Sequence, residues 1–133
     1  MSEYFKPLPK PSLTSRPFWE AARKHELKLQ QCGKCSQFIY YPRERCPNCF
    51  SDNLAWQKVS GRGKLYSYTT VYRASTRSFA DAPYVLAIVE LAEGPRLTTN
   101  IVAPPESVRV EMPVQVFFDD VTPDHTLVKF KPA

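Results

Sequence analysis

Cys32-Gly33-Lys34-Cys35 and Cys46-Pro47-Asn48-Cys49 are two C-x2-C pairs separated by ten residues, and they account for every cysteine in the chain. A two-residue gap lets both sulfurs of a knuckle face one ion while backbone amides inside the turn donate to the thiolates. Gly33 and the Pro47-Asn48 pair are the turn formers such knuckles use. Cys32, Cys35, Cys46 and Cys49 are therefore the expected ligands of a structural zinc ion. Iron is the competing occupant, because four thiolates in a tetrahedron suit it as well. Four protein ligands close the coordination shell and leave no position for water or substrate, so the metal is expected to hold structure and not to catalyse.

Little else in the chain offers reaction chemistry. His25 and His125 stand alone, without a nucleophile at meaningful spacing, and the sequence carries no phosphate loop, dinucleotide fingerprint, nucleophile elbow or zinc-protease helix. At 133 residues it is also too short for an α/β enzyme barrel, which needs roughly 200 or more. The expectation is a protein that is not an enzyme.

Ligand chemistry is carried by a basic and aromatic stretch. Gly61-Arg62-Gly63-Lys64 places two cations between glycines that permit close backbone approach, although a simple linker would use the same glycines. Period 2 then sets Lys64, Tyr66, Tyr68, Thr70 and Tyr72 on one strand face, with Arg73, Arg77 and Phe79 downstream. Tyrosines in a row either fill a barrel core or stack on a flat ligand. Arg62, Lys64, Tyr66, Tyr68, Arg73, Arg77 and Phe79 are the candidate ligand-binding residues.

These groups must be positioned by three successive parts. Residues 1–26 read as a proline-rich arm followed by a short helix over 16–26, with Ser15 as N-cap, Pro17 in the first turn, and Phe18, Trp19, Ala22 and His25 on one face. Residues 27–57 read as the metal ribbon, with short strands at Leu27–Gln30 and Phe38–Tyr41. Residues 53–63 read as a link, with Trp56 as its apolar anchor.

Residues 58–133 hold five strand-like runs, at 64–73, 84–92, 96–102, 113–118 and 126–130, separated by turn chemistry that includes 119–124. The fold class is thus mostly β: a short N-terminal helix, a rubredoxin-like four-cysteine zinc ribbon and a five-stranded OB-fold barrel. An SH3-like barrel or a small sandwich is the alternative. Any helix before the fourth strand is confined to 104–110. In the second run Val85, Ala87, Val89 and Leu91 form an inward stripe, yet Tyr84, Leu86 and Ile88 on the other side are apolar too and demand cover from the helix or from a partner protein.

The net charge of +5 is uneven: residues 1–80 carry +9 and residues 81–133 carry −4. The basic half suggests an anionic partner. The longest apolar run, Tyr84 to Val89, is far below the ~20 residues needed to span a bilayer. The N-terminus has no apolar core of signal-peptide length, so a cytoplasmic location with reduced thiols is expected.

The order of parts resembles the acyl-CoA-associated zinc-ribbon and OB-fold family, formerly a domain of unknown function. The resemblance rests on Phe18-Trp19 in the helix, Cys32 to Cys49 with Tyr41-Pro42-Arg43 before the second knuckle, Trp56 to Gly63 running into Gly61-Arg62-Gly63-Lys64-Leu65-Tyr66-Ser67-Tyr68-Thr69, Pro83-Tyr84, and Glu90 to Gly94. One departure is Glu111-Met112, where many relatives have Gly-Met.

The resemblance implies a non-catalytic scaffold for an acyl-CoA enzyme. Its usual partner is a thiolase, with hydroxymethylglutaryl-CoA synthase, an aldolase or an enoyl-CoA hydratase in some members, and with acyl-CoA at a shared site. The competing expectation is a nucleic-acid-binding module, since a ribbon, an OB barrel and a basic aromatic strand also make one. Against it, residues 81–133 supply four cations to eight acids, a poor electropositive groove. A small iron electron carrier is a third, minor reading.

Overall fold

The computed structural model describes residues 8–73 and 83–133. Its helix, α1 (Arg16–Arg23), starts where Pro17 suits a first turn, and buries Phe18, Ala21 and Ala22. Ser15 holds the N-cap position with its carbonyl. Its hydroxyl, however, accepts from the Ser12 amide at 2.9 Å and caps no helical N–H. The helix is three residues shorter than the sequence periodicity suggests. His25 takes a left-handed φ of 59°, and the amides of His25 and Glu26 return to the carbonyls of Ala22 and Ala21, a Schellman ending that stops the helix there.

The ribbon is a three-stranded antiparallel sheet in the order β2-β1-β3, made of β1 (Lys28–Cys32), β2 (Phe38–Ile39) and β3 (Leu54–Lys58). The segment read as a link around Trp56 is thus a strand, paired residue for residue with β1 from Lys28↔Lys58 to Cys32↔Leu54. Leu54 and Trp56 alternate in this five-residue stretch, a signal too short to decide a strand by itself; its pairing with β1 makes it extended.

Five further strands close a barrel in the order β4-β5-β6-β8-β7: β4 (Arg62–Val71), β5 (Tyr84–Leu91), β6 (Arg96–Ile101), β7 (Pro113–Thr122) and β8 (His125–Pro132). Neighbours are antiparallel except β6 and β8, which meet in parallel at Ile101↔Phe130 and complete the closure. This is the OB barrel, with a single 3-10 turn, Pro105–Ser107, before β7. The last two strands run further than expected. Asp119, Asp120 and Thr122, which read as turn residues, pair with Leu127, Thr126 and His125 across a tight hairpin.

Period-2 burial places Val85, Ala87, Val89 and Leu91 of β5 inside, as the inward stripe requires. They join Leu65, Val114 and Phe130 in a core that extends to Phe18, Leu27 and Leu29. One apolar cluster therefore ties helix, ribbon base and barrel together. A second, small cluster of Cys32, Ile39 and Cys46 holds the ribbon tip. The two glycines at the joint are packed tightly. A Cβ on Gly63 would meet the Glu90 carbonyl oxygen at 2.5 Å, and Gly61, at φ +76°, faces Val116. They serve close packing and not the freedom of a loose linker. No helix among the described residues is long and apolar enough to cross a membrane.

Candidate metal centre and interaction faces

Each knuckle closes on itself by backbone hydrogen bonds. Ser36 N donates to Cys32 O and Phe50 N to Cys46 O, both at 2.9 Å, and Ser36 and Phe50 share the same left-handed φ of 65°. Gly33 is needed for a different reason: a Cβ there would strike the Asn53 side-chain amide, while the Gly33 N–H donates to the Asn53 backbone carbonyl at 2.7 Å. The two turns bring the four sulfurs within 4.8 Å of one another, with Cys32 and Cys46 buried.

The donor set fits a tetrahedral ion. Sγ of Cys32 and Cys49 are 3.4 Å apart, and those of Cys35 and Cys46 3.6 Å, near the roughly 3.8 Å edge that Zn–S bonds of about 2.3 Å would make. Amides stabilise the thiolate form: Lys34 N and Cys35 N donate to Cys32 Sγ at 3.3 and 3.4 Å, and Asn48 N to Cys46 Sγ at 3.4 Å. The Cys35 amide, above all, lowers the Cys32 pKa to about 6, and the Gln37 amide lowers that of Cys35. At Cys49 the Ser51 amide favours the thiolate, but burial and the neighbouring sulfurs outweigh it and push the pKa up to about 11. Ordinary thiols so close would not all ionise; a cation among them would favour that state. Among the described residues no other group of His, Cys, Asp and Glu side chains is placed to hold a metal.

The seven candidate ligand residues do not form one face. β4 carries a bulge between Leu65 and Ser67. On one side Leu65 pairs with Val89, on the other Tyr68 pairs with Ala87, so both lie on the inner side of the strand, Leu65 fully buried and Tyr68 still 37% exposed. Tyr68 reaches the barrel mouth, where its hydroxyl donates to Val108 O at 3.1 Å. Tyr66 is the extra residue and lies outside, under the Arg96 guanidinium at 3.8 Å from the ring centroid. The single tyrosine face is thereby split, because one inserted residue reverses the alternation. Lys64 lies on the outer side, between Glu111 at 3.2 Å and Glu90 at 3.7 Å, and these carboxylates raise its pKa. Arg62 and Arg73 are exposed at the two ends of the strand, and Arg77 and Phe79 lie outside the described residues.

Glu111 itself occupies the position where glycine was expected. It keeps a left-handed φ of 73°, and its carboxylate reaches Lys64. Arg96 and Glu90, which pair at 3.0 Å, were not among the candidate ligand residues; the Glu93-Gly94-Pro95 turn between their strands was the available signal.

The outer face of β4, β5 and β6 is ordered in rows. Lys64, Glu90 and Arg96 form one row, Ser67, Ile88 and Thr98 the next, and Thr69, Leu86 and Asn100 a third. α1 does not cover this face: it packs on β1, β7 and β8. Leu86 and Ile88 remain 41% and 36% exposed.

The two histidines sit in separate local contacts. His25 Nε2 lies 2.9 Å from Asp120 Oδ2 and its ring stacks on Phe118, while Thr126 donates to the other Asp120 oxygen. Asp120 stands between His25 and Thr126 and accepts from the hydroxyl itself. His125 Nδ1 lies 2.9 Å from Thr122 Oγ1, within the hairpin turn. A cavity of about 570 Å³ beside Asp120 is lined by charges of both signs, Glu20, Arg23 and Lys24 among them.

A four-cysteine ribbon fused to a closed OB barrel defines a two-module ribbon-and-barrel protein. Residues 19–55 match the family model described as "ChsH2, rubredoxin-like zinc ribbon domain", and residues 56–119 the one described as "ChsH2, C-terminal OB-fold domain". The chain belongs to the DUF35 family. It is 38% identical over 96 residues to a DUF35 domain-containing scaffold protein of Methanocaldococcus jannaschii, covering 71% of this chain and 68% of that protein.

It is also 36% identical over 128 residues to a probable enoyl-CoA hydratase alpha subunit of Thermomonospora curvata, covering 94% of this chain. The chain spans only 40% of that relative's length. A benzoylsuccinyl-CoA thiolase subunit BbsA from Geobacter metallireducens is 31% identical over 90 residues, 68% of this chain and 60% of that one. Among solved structures, an Ltp2-ChsH2(DUF35) aldolase superposes with a TM-score of 0.84 at 34% identity, over 93% of this chain and 98% of that chain. The relatives thus include both scaffold proteins and proteins named as subunits of acyl-CoA enzymes.

Proposed function

We propose that this chain is a non-catalytic, zinc-binding scaffold or accessory subunit that docks on an acyl-CoA-processing enzyme such as a thiolase. In this reading hydroxymethylglutaryl-CoA synthase is a second enzyme it can join, and the chain contributes to acyl-CoA binding at the shared interface. The observation that carries the docking is the outer barrel face, where Leu86 and Ile88 are uncovered and bordered by Tyr66, Lys64, Glu90 and Arg96. An apolar centre with a rim of mutually neutralised charges is the composition of a protein–protein contact.

It is a poor nucleic-acid groove, because Lys64 and Arg96 are already held by carboxylates. Arg62 and Arg73, exposed and without an ion pair among the described residues, support an anionic CoA near the ends of β4. Relatives named as thiolase, hydratase and aldolase components support the class of partner.

The test is to purify the tagged protein from its native cytosol after nuclease treatment and identify what stays bound. Stoichiometric recovery of an acyl-CoA enzyme, lost on the double substitution Leu86→Asp and Ile88→Asp while the metal content stays, is the expected result. Recovery of no such enzyme, with oligonucleotide binding that survives physiological salt, would overturn it.

A further inference from the structure

The two knuckles are built alike, but they end on different residues. In both, the residue after the second cysteine takes a φ of 65° and donates its N–H to the carbonyl of the first cysteine. The first knuckle puts Ser36 there; the second puts Phe50. Left-handed backbone favours glycine or a small polar residue, and a bulky side chain there is an outlier. Burial of the ring does not offset this, because Phe50 is 72% exposed. The chain thus holds a large apolar group in disfavoured backbone and shows it to solvent, a pattern that points to function.

The ring is also held in place. The Arg45 guanidinium sits 5.1 Å from the ring centroid, and its Nη1 donates to the Phe50 carbonyl at 3.3 Å. A concavity of about 370 Å³ beside the ring is lined by Arg43, Glu44, Arg45, Cys46 and Pro47. Arg43 and Arg45 have no ion pair among the described residues. A fixed aromatic flanked by arginines is the kind of anchor that dominates protein interfaces, and fixing it in advance lowers the entropy lost on association.

We infer that Phe50 is the anchor of a second docking surface, at the ribbon tip, that enters an apolar pocket rimmed by carboxylates on the partner protein. The carboxylates answer Arg43 and Arg45, and Arg45 acts as a positioning residue for the ring. This rests on the scaffold reading above, and it adds a contact separate from the barrel face.

The experiment compares wild type with Phe50→Ser, which copies the first knuckle, and with Phe50→Gly, which suits the backbone. Each is checked for metal content and melting temperature, and for recovery of the acyl-CoA enzyme identified with the wild-type chain. Both variants should melt no lower than wild type, keep the metal, and bind that enzyme about ten-fold or more weakly. Wild-type affinity in both variants would overturn the anchor while leaving the scaffold reading intact, as would a lower melting temperature in both. If the wild-type chain recovers no acyl-CoA enzyme, the scaffold reading and the anchor fall together.

Discussion

The side-chain amide of Gln30 closes a two-point clamp on the backbone of Arg43: Nε2 donates to the Arg43 carbonyl at 2.8 Å, and Oε1 accepts from its N–H at 2.7 Å. Gln30 is buried in β1, while Arg43 lies on the segment that leads into the second knuckle. The clamp satisfies the peptide groups of a stretch that has no strand partner there. Gln30→Ala should cost about 1–3 kcal/mol, the penalty for leaving both backbone groups unpaired. Urea denaturation of the metal-loaded protein measures it; a loss below a few tenths of a kcal/mol would mean water replaces the amide.

Metal removal should act on part of the ribbon only. Sequence alone points to loss of residues 27–57 as a unit, because a short ribbon cannot build its own core. The structure narrows this, since Leu27 and Leu29 belong to the barrel cluster and Trp56 packs against it, whereas Cys32, Ile39 and Cys46 form the separate tip cluster. On chelation, amides of Cys46 and Phe50 should exchange freely while that of Leu65 keeps its protection, with β1 near Leu29 retained longest within the ribbon. Uniform loss from Leu27 through Trp56 in a hydrogen-exchange experiment would contradict the division.

Acid should weaken the tie between α1 and the β7–β8 hairpin. The Thr126 hydroxyl, and secondarily His25, hold the Asp120 pKa below the ordinary aspartate value. A carboxyl depressed in the folded state contributes stability that is present above its unfolded pKa, near 4, and is lost as pH falls through the folded value. The stability difference between wild type and Asp120→Asn should therefore be largest near neutral pH and close below about pH 4. Denaturation curves of both proteins across pH 2–7 test this, and a difference that does not change with pH would assign the contact no electrostatic part.

Much of this molecule was legible because its signals are local. A C-x2-C knuckle needs only a few consecutive residues to aim two sulfurs, and the alternation at Val85, Ala87, Val89 and Leu91 states which side of β5 is inside. Where long-range pairing takes over, the reading lapsed. β3 is a strand because β1 lies beside it, and Asp119 to Thr122 stay extended because the opposite strand offers Thr126, His125 and, for Asp119, the Lys129 ammonium at 2.6 Å. Gln30 gave no sign of its clamp, for its partner is thirteen residues away in the chain.

By itself the sequence determined which four cysteines converge, the succession of helix, ribbon and barrel, and the inward stripe of β5, all of which follow from spacing and period. Only the tertiary structure decided which surfaces are free. One bulged residue turned Tyr68 into the barrel mouth and left Tyr66 outside, the acids of β5 and the Glu111 turn took Lys64, and the seat of α1 on β1, β7 and β8 left Leu86 and Ile88 uncovered. Those outcomes depend on register and on which elements pack together, and such relations arise only when segments far apart in the chain meet.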